Sequence, residues 1–209
     1  MGLTGNVVIL NNLIPVFADI NLFDYQIDPK SILDLITSKT VAVIGVHFSG
    51  LMCDVVEIEK ICELNNLVFI EDSAECLGGL RDGYKPGAKG IGCFSFYPTK
   101  NMTTCEGGML TTNDISIEKN CRALSAHGIE KSTFDRDKNK SNWFREASTN
   151  GFNFRMPNPL AALGRSQLSR INEMLIIRRN IASIYNSVLK NIKNVELPNY
   201  EKSSGENSY

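Results

Sequence analysis

Two short runs of consecutive apolar residues constrain this chain most. Residues 41–48 (VAVIGVHF) and 67–70 (LVFI) lack the alternation of a half-exposed strand. Both faces of each run therefore need cover, as in a sheet sandwiched between helices. Between them Asp54 is placed to cap a helix whose Val55, Ile58, Ile61, Cys62 and Leu64 fall at helical spacing. Strand, helix and strand in this order predict parallel pairing through a right-handed crossover, and so an α/β fold with a mostly parallel sheet.

The rest of the chain extends the pattern. Residues 14–20 (IPVFADI) read as a further strand. Asp28 and Pro29 open a helix as N-cap and first helical residue. Residues 78–92 are glycine-rich and read as a surface excursion, followed by strands at 93–97 (CFSFY) and 109–112. A helix is expected from about 115 to 126, ending at His127-Gly128. Residues 130–150 read as a mobile loop, which Trp143 interrupts as a possible anchor. Leu160, Leu163, Leu168, Ile171 and Leu175 trace a helical stripe, and a second helix is expected over 178–190. The polar tail, 200–209, carries no signal.

Several function classes are excluded by composition. The 209 residues carry 22 Lys plus Arg against 23 Asp plus Glu, which gives no electrostatic reason for a nucleic-acid or anionic-membrane partner. No apolar run approaches the roughly 18 residues of a membrane helix, and the first ten residues have no cationic flank for a signal peptide. The six cysteines contain no CxxC pair, so neither zinc ligation nor a compact disulfide framework is expected. Reduced thiols and a cytoplasmic location follow as expectations. Two histidines and no nucleophile elbow make a hydrolase a poor reading.

In parallel sheets, ligands bind beyond the carboxyl ends of the strands. Asp72 and Glu75 stand just past residues 67–70, and Ser95 and Lys100 stand in and after 93–97. Asp72 reads either as a turn residue or as an anion that holds a ring nitrogen protonated. Glu75 reads equally as a contact to the same ligand or as an exposed glutamate. Ser95 either binds phosphate or faces a neighbouring strand. Lys100 by itself is one lysine among many, but a lysine sheltered in such a turn is a nucleophile toward an aldehyde. His47, in an apolar strand, reads as a satisfied core histidine.

Four segments in order give these residues a common meaning: IPVFADI, FIEDSAECLGG, GCFSFYPTKNMTTCEGGMLTTND and GFNFRMPNPLAALGRSQL. Together they resemble the DegT/DnrJ/EryC1/StrS family of pyridoxal-phosphate-dependent sugar aminotransferases, over about residues 14–197. The resemblance implies the aspartate-aminotransferase-like fold (PLP fold type I). Residues 1–175 would be a partial cofactor-binding large domain, and residues 176–209 the beginning of a small C-terminal domain. Lys100 matches the lysine that binds the cofactor, and Asp72 the carboxylate on the pyridine nitrogen. Ser95 matches a phosphate contact. Asn153 matches an asparagine that reaches the cofactor phosphate of a partner subunit, implying a homodimer with shared active sites.

No metal is implied. The substrates implied are an amino-acid amine donor, commonly glutamate, and a nucleotide-linked keto sugar, as in surface-polysaccharide or amino-sugar biosynthesis. Relatives that dehydrate sugars carry histidine where Lys100 stands. Three features depart from the family: expected truncation at both ends, Glu75 where His or Gln is common, and Cys105 where Gly is usual. The truncation also supports an alternative, a non-catalytic scaffold subunit that lends Asn153 to a complete partner.

Overall fold

The structure, a computed structural model, describes residues 2–130, 146–197 and 205–208. Helix α1 (Gly2–Leu10) leads to a segment without regular structure, and then to α2 (Pro29–Leu35). Strand β1 (Ala42–Val46), α3 (Val55–Leu64) and β2 (Val68–Asp72) form the predicted strand–helix–strand unit. Strands β3 (Leu80–Arg81), β4 (Ile91–Ser95) and β5 (Gly108–Thr111) follow, then helices α4 (Ile115–Ser125), α5 (Asn158–Leu168) and α6 (Ile171–Leu189), and finally β6 (Gly205–Glu206).

The main sheet has the order β1-β2-β4-β5. β1 pairs parallel with β2, setting Val46 opposite Asp72, and β2 pairs parallel with β4, setting Asp72 opposite Cys93. Only the β4–β5 pair in this sheet is antiparallel, with Ser95 opposite Gly108. Val46, Asp72 and Ser95 therefore end their strands along one carboxyl edge.

The helix caps are those the sequence predicts. The Asp28 carboxylate accepts from Lys30 N, with Pro29 in the first turn, and the Asp54 carboxylate accepts from Glu57 N. Such caps stabilise a helix by about 1 kcal/mol each. The core lies where α2 and α3 cover β1 and β2, and includes Ile32, Val43, Val55, Ile58, Ile61 and Phe69. Gly45 of β1 admits this packing: a Cβ there would lie 3.0 Å from the Cys53 sulfur and 3.2 Å from the Phe69 ring. Ile58 is fully buried at the centre of the layer. Ile58→Ala is expected to lower unfolding stability by about 2–5 kcal/mol in urea titration, through lost transfer energy and the cavity left behind.

Three expectations need correction. Residues 14–20 do not form a strand; Ile20 makes a single antiparallel bridge to Ile27, while Ile14 and Phe17 are exposed. An apolar run becomes a strand only where a neighbour offers ladder hydrogen bonds, and among the described residues none lies along this one. The last helix begins at Ile171 rather than 178, because the stripe ending in Leu175 continues into it with one turn of interruption at residues 169–170. The tail, whose composition carries no signal, pairs through β6 with β3 and buries Ser208. The expected domain change after residue 175 falls inside α6. The loop reading for 130–150, with Trp143, lies mostly outside the described residues.

Candidate active site

β2 ends in two carboxylates that do different work. Glu71 is fully buried and accepts hydrogen bonds from Gly87 N (2.8 Å), Lys89 N (3.0 Å), Gly90 N and His47 Nε2 (2.9 Å). Burial by itself would raise this carboxyl, but the bonds from His47, Gly90 and Gly87 outweigh it and hold Glu71 below the ordinary glutamate range. His47 Nδ1 accepts from Cys53 N at 3.2 Å, so the ring proton sits on Nε2 and points at Glu71. His47 is thus a satisfied core histidine.

Asp72, the next residue, is half-buried on the carboxyl edge. Its Oδ1 accepts from Ala74 N at 3.2 Å and its Oδ2 from the Thr4 hydroxyl at 2.9 Å. Ser95 ends β4, where its hydroxyl accepts from Tyr97 N at 3.4 Å.

Beyond β4 the chain turns through Pro98 and Thr99, closed by a bond from Lys100 N to Tyr97 O at 3.0 Å. Thr103 and Thr104 fasten the return, both bonding to Phe96 O. Asn101 anchors the turn to its surroundings by donating to Leu77 O and Ser208 O. Lys100 is thereby presented to a cleft of about 270 Å³ lined by Ser49, Glu75, Thr99, Asn101 and Arg178.

Lys100 Nζ lies 3.5 Å from Glu75 Oε1, and Glu75 Oε2 accepts from Ser49 N at 3.1 Å. That N–H is aimed by a left-handed backbone at Ser49 (φ 52°), a conformation costing a non-glycine residue about 1–2 kcal/mol. Beneath the cleft, burial pushes the Cys76 thiol up to about 12, which excludes a thiolate nucleophile there.

Of the expected site residues, Lys100 and Glu75 share the cleft. Asp72 and Ser95 stand on the same sheet edge without lining it. Asn153 lies elsewhere: exposed, bridged to Ala126, it accepts from Arg155 Nε at 3.2 Å. Its neighbours Phe152 and Phe154 are also exposed and stack at 4.8 Å. Sequence reasoning missed Thr4, Arg178 and Ser208. Thr4 lies in a helix preceding the recognisable segments, and Arg178 in a charged helix face, so neither carried a signal. Ser208 reaches Gly50 O and Glu75 O only because the tail folds back.

A lysine and a carboxylate meet in a cleft near the carboxyl edge of a mostly parallel sheet, the edge at which such sheets bind ligands. The chain belongs to the DegT/DnrJ/EryC1/StrS aminotransferase family, whose profile matches residues 3–209. Among its relatives, the spore coat polysaccharide biosynthesis protein SpsC of Bacillus subtilis is 36% identical over 196 residues, which are 93% of this chain and 50% of SpsC. The GDP-perosamine synthase of Caulobacter vibrioides is 36% identical over 181 residues, 86% of this chain and 46% of that protein. Among solved structures, PseC of Helicobacter pylori, an aminotransferase of pseudaminic acid biosynthesis, superposes with a TM-score of 0.83 at 30% identity, over 91% of this chain and 49% of PseC. The chain thus spans about half the length of the curated relatives it matches. Among the described residues no helix is long and apolar enough to cross a membrane.

Proposed function

We propose that this chain carries the cofactor half of a sugar aminotransferase that moves an amino group from an amino acid, glutamate foremost, to a nucleotide-linked keto sugar. The observation that carries this is the Lys100 amine, 3.5 Å from Glu75 in a cleft on the strand-end edge that also bears Asp72 and Ser95. The donor set fits pyridoxal phosphate: an amine for the aldehyde, a carboxylate for the ring nitrogen and a hydroxyl for the phosphate. That cofactor, when bound, supplies an electron sink for a carbanion.

The remaining roles belong to the chain's own side chains. Asp72 keeps the proton on the ring nitrogen through a charge-assisted hydrogen bond. Lys100 Nζ would hold the cofactor's aldehyde carbon and, as a free amine, would serve as the proton carrier at the substrate carbon. Glu75, steadied by Ser49 N–H, holds the Lys100 side chain within reach. Ser95 and, across a dimer, Asn153 of a second copy contact phosphate. The exposed Phe152 and Phe154 beside Asn153 support a partner face there. Residues 1–175 carry the cofactor and residues 176–209, which hold most of α6, begin the small domain. A cytoplasmic setting suits soluble nucleotide sugars. The nucleotide sugar rests on relatives such as GDP-perosamine synthase.

With pyridoxal phosphate and L-glutamate added, the chain is expected to form about one 2-oxoglutarate per site in a single turnover as its visible colour bleaches. The readouts are coupled 2-oxoglutarate assay and absorbance. Colour without 2-oxoglutarate would favour the scaffold alternative over the enzyme.

A further inference from the structure

We infer that Thr4 is a positioning residue for Asp72: the Thr4 hydroxyl fixes the carboxylate that holds the cofactor's ring nitrogen. The inference rests on the role proposed for Asp72 above. An aspartate side chain has two free rotations, and the Ala74 N–H restrains one oxygen by a bond at the long limit, 3.2 Å. Thr4 supplies a second donor on the other oxygen at 2.9 Å, from a helix 68 residues distant in sequence. With one donor from the turn after β2 and one from α1, the carboxylate plane is fixed relative to both elements.

The geometry leaves capacity for the ligand. Each carboxylate oxygen has two lone pairs, so Oδ2 can accept from Thr4 and still accept a second N–H. Hydrogen bonding to the carboxylate also favours its charged form, which is the form that retains a proton on a ring nitrogen. An apolar residue of the same shape at position 4 would leave Oδ2 free to rotate away or to be claimed by water. Besides Thr4, α1 has one polar side chain, the exposed Asn6, and its exposed apolar side chains such as Leu3, Val7 and Leu10 have no donor to offer Asp72.

The test compares two ligands in titrations of the full 209-residue chain: pyridoxal phosphate, and its analogue in which C–H replaces the ring nitrogen. Thr4→Val is expected to weaken pyridoxal phosphate about tenfold, as for loss of a hydrogen bond to a charged group, and to leave the analogue within about twofold. Thr4→Ser keeps the hydroxyl and is expected to stay within about threefold for both ligands. Equal weakening of both ligands by Thr4→Val would make Thr4 a packing residue and overturn the inference, as would no change with either. Failure of Thr4→Ser to restore the difference would overturn it too, and does not depend on Thr4→Val folding. If the unsubstituted chain shows no Lys100-dependent binding of pyridoxal phosphate, the role of Asp72 falls first and takes the inference with it.

Discussion

Lys100→Ala is expected to abolish the visible colour that pyridoxal phosphate gives the chain and to slow amino transfer by about 10²–10⁴-fold, the range for loss of a positioned proton carrier. The residue stands in a turn fastened by Thr103, Thr104 and Asn101, so removing its side chain leaves the backbone bonds of the turn in place. Glu75 keeps its bond from Ser49 N, and the cleft gains space rather than losing shape. The loss should therefore be chemical, with little change in stability. Lys100→Arg separates the roles further: it retains the charge opposite Glu75 but stays protonated and cannot attack an aldehyde. Borohydride reduction followed by peptide mapping should place the phosphopyridoxyl group on Lys100 in the unsubstituted chain and nowhere in either variant. A phosphopyridoxyl group on another lysine would assign the nucleophile elsewhere.

The sheet was legible where apolar residues run continuously, although only one face of β1 and β2 is buried and the other is half-buried or exposed. β1 and β2 read directly from VAVIGVHF and LVFI, and α3 between them from its apolar spacing and Asp54. Elements that depend on a distant partner were not. The run IPVFADI has the composition of a strand, yet it finds no ladder neighbour and stays exposed. The tail has no strand composition at all, yet Gly205–Glu206 pairs with Leu80–Arg81 because Arg179 draws it in through Glu206 and Asn207 O.

The site divides in the same way. Residues that follow a strand end, Asp72, Glu75 and Lys100, are found by the rule that ligands collect there. What Asp72 and Glu75 bond to is not local: Thr4, Ser49 and Ser208 come from three other parts of the chain. A motif names the acidic residue but not the donor that orients it. Asn153 reads as a motif residue, while its exposure and the stacking of Phe152 on Phe154 beside it emerge only from the fold.

Glu71 carries the second large effect, although it faces away from the proposed chemistry. Glu71→Ala is expected to destabilise the chain by about 3–5 kcal/mol in chemical unfolding, the cost of stripping a buried charged acceptor from its partners. Gly87, Lys89 and Gly90 N–H and His47 Nε2–H would all lose their acceptor at once. Glu71→Gln keeps the shape but turns an amide N–H toward donors, so a smaller loss is expected. That variant also isolates the titration, since it carries no ionisable group at this position. The native Glu71 carboxyl lies below the ordinary range, so its stabilising contribution is complete above the unfolded value of about 4.3 and is lost as pH falls through the native value. The stability difference between the unsubstituted chain and Glu71→Gln should accordingly be flat above about pH 5 and shrink steadily below about pH 4. A difference that grew on acidification would mean that Glu71 is protonated in the native state. The effect reaches the site because Glu71 precedes Asp72 on β2, while the turn it holds, residues 87–90, delivers β4 and with it Ser95 to the same edge. Loosening that network should weaken cofactor binding in Glu71→Gln even where the chain remains folded, coupling a buried structural carboxylate to the half-buried one beside it.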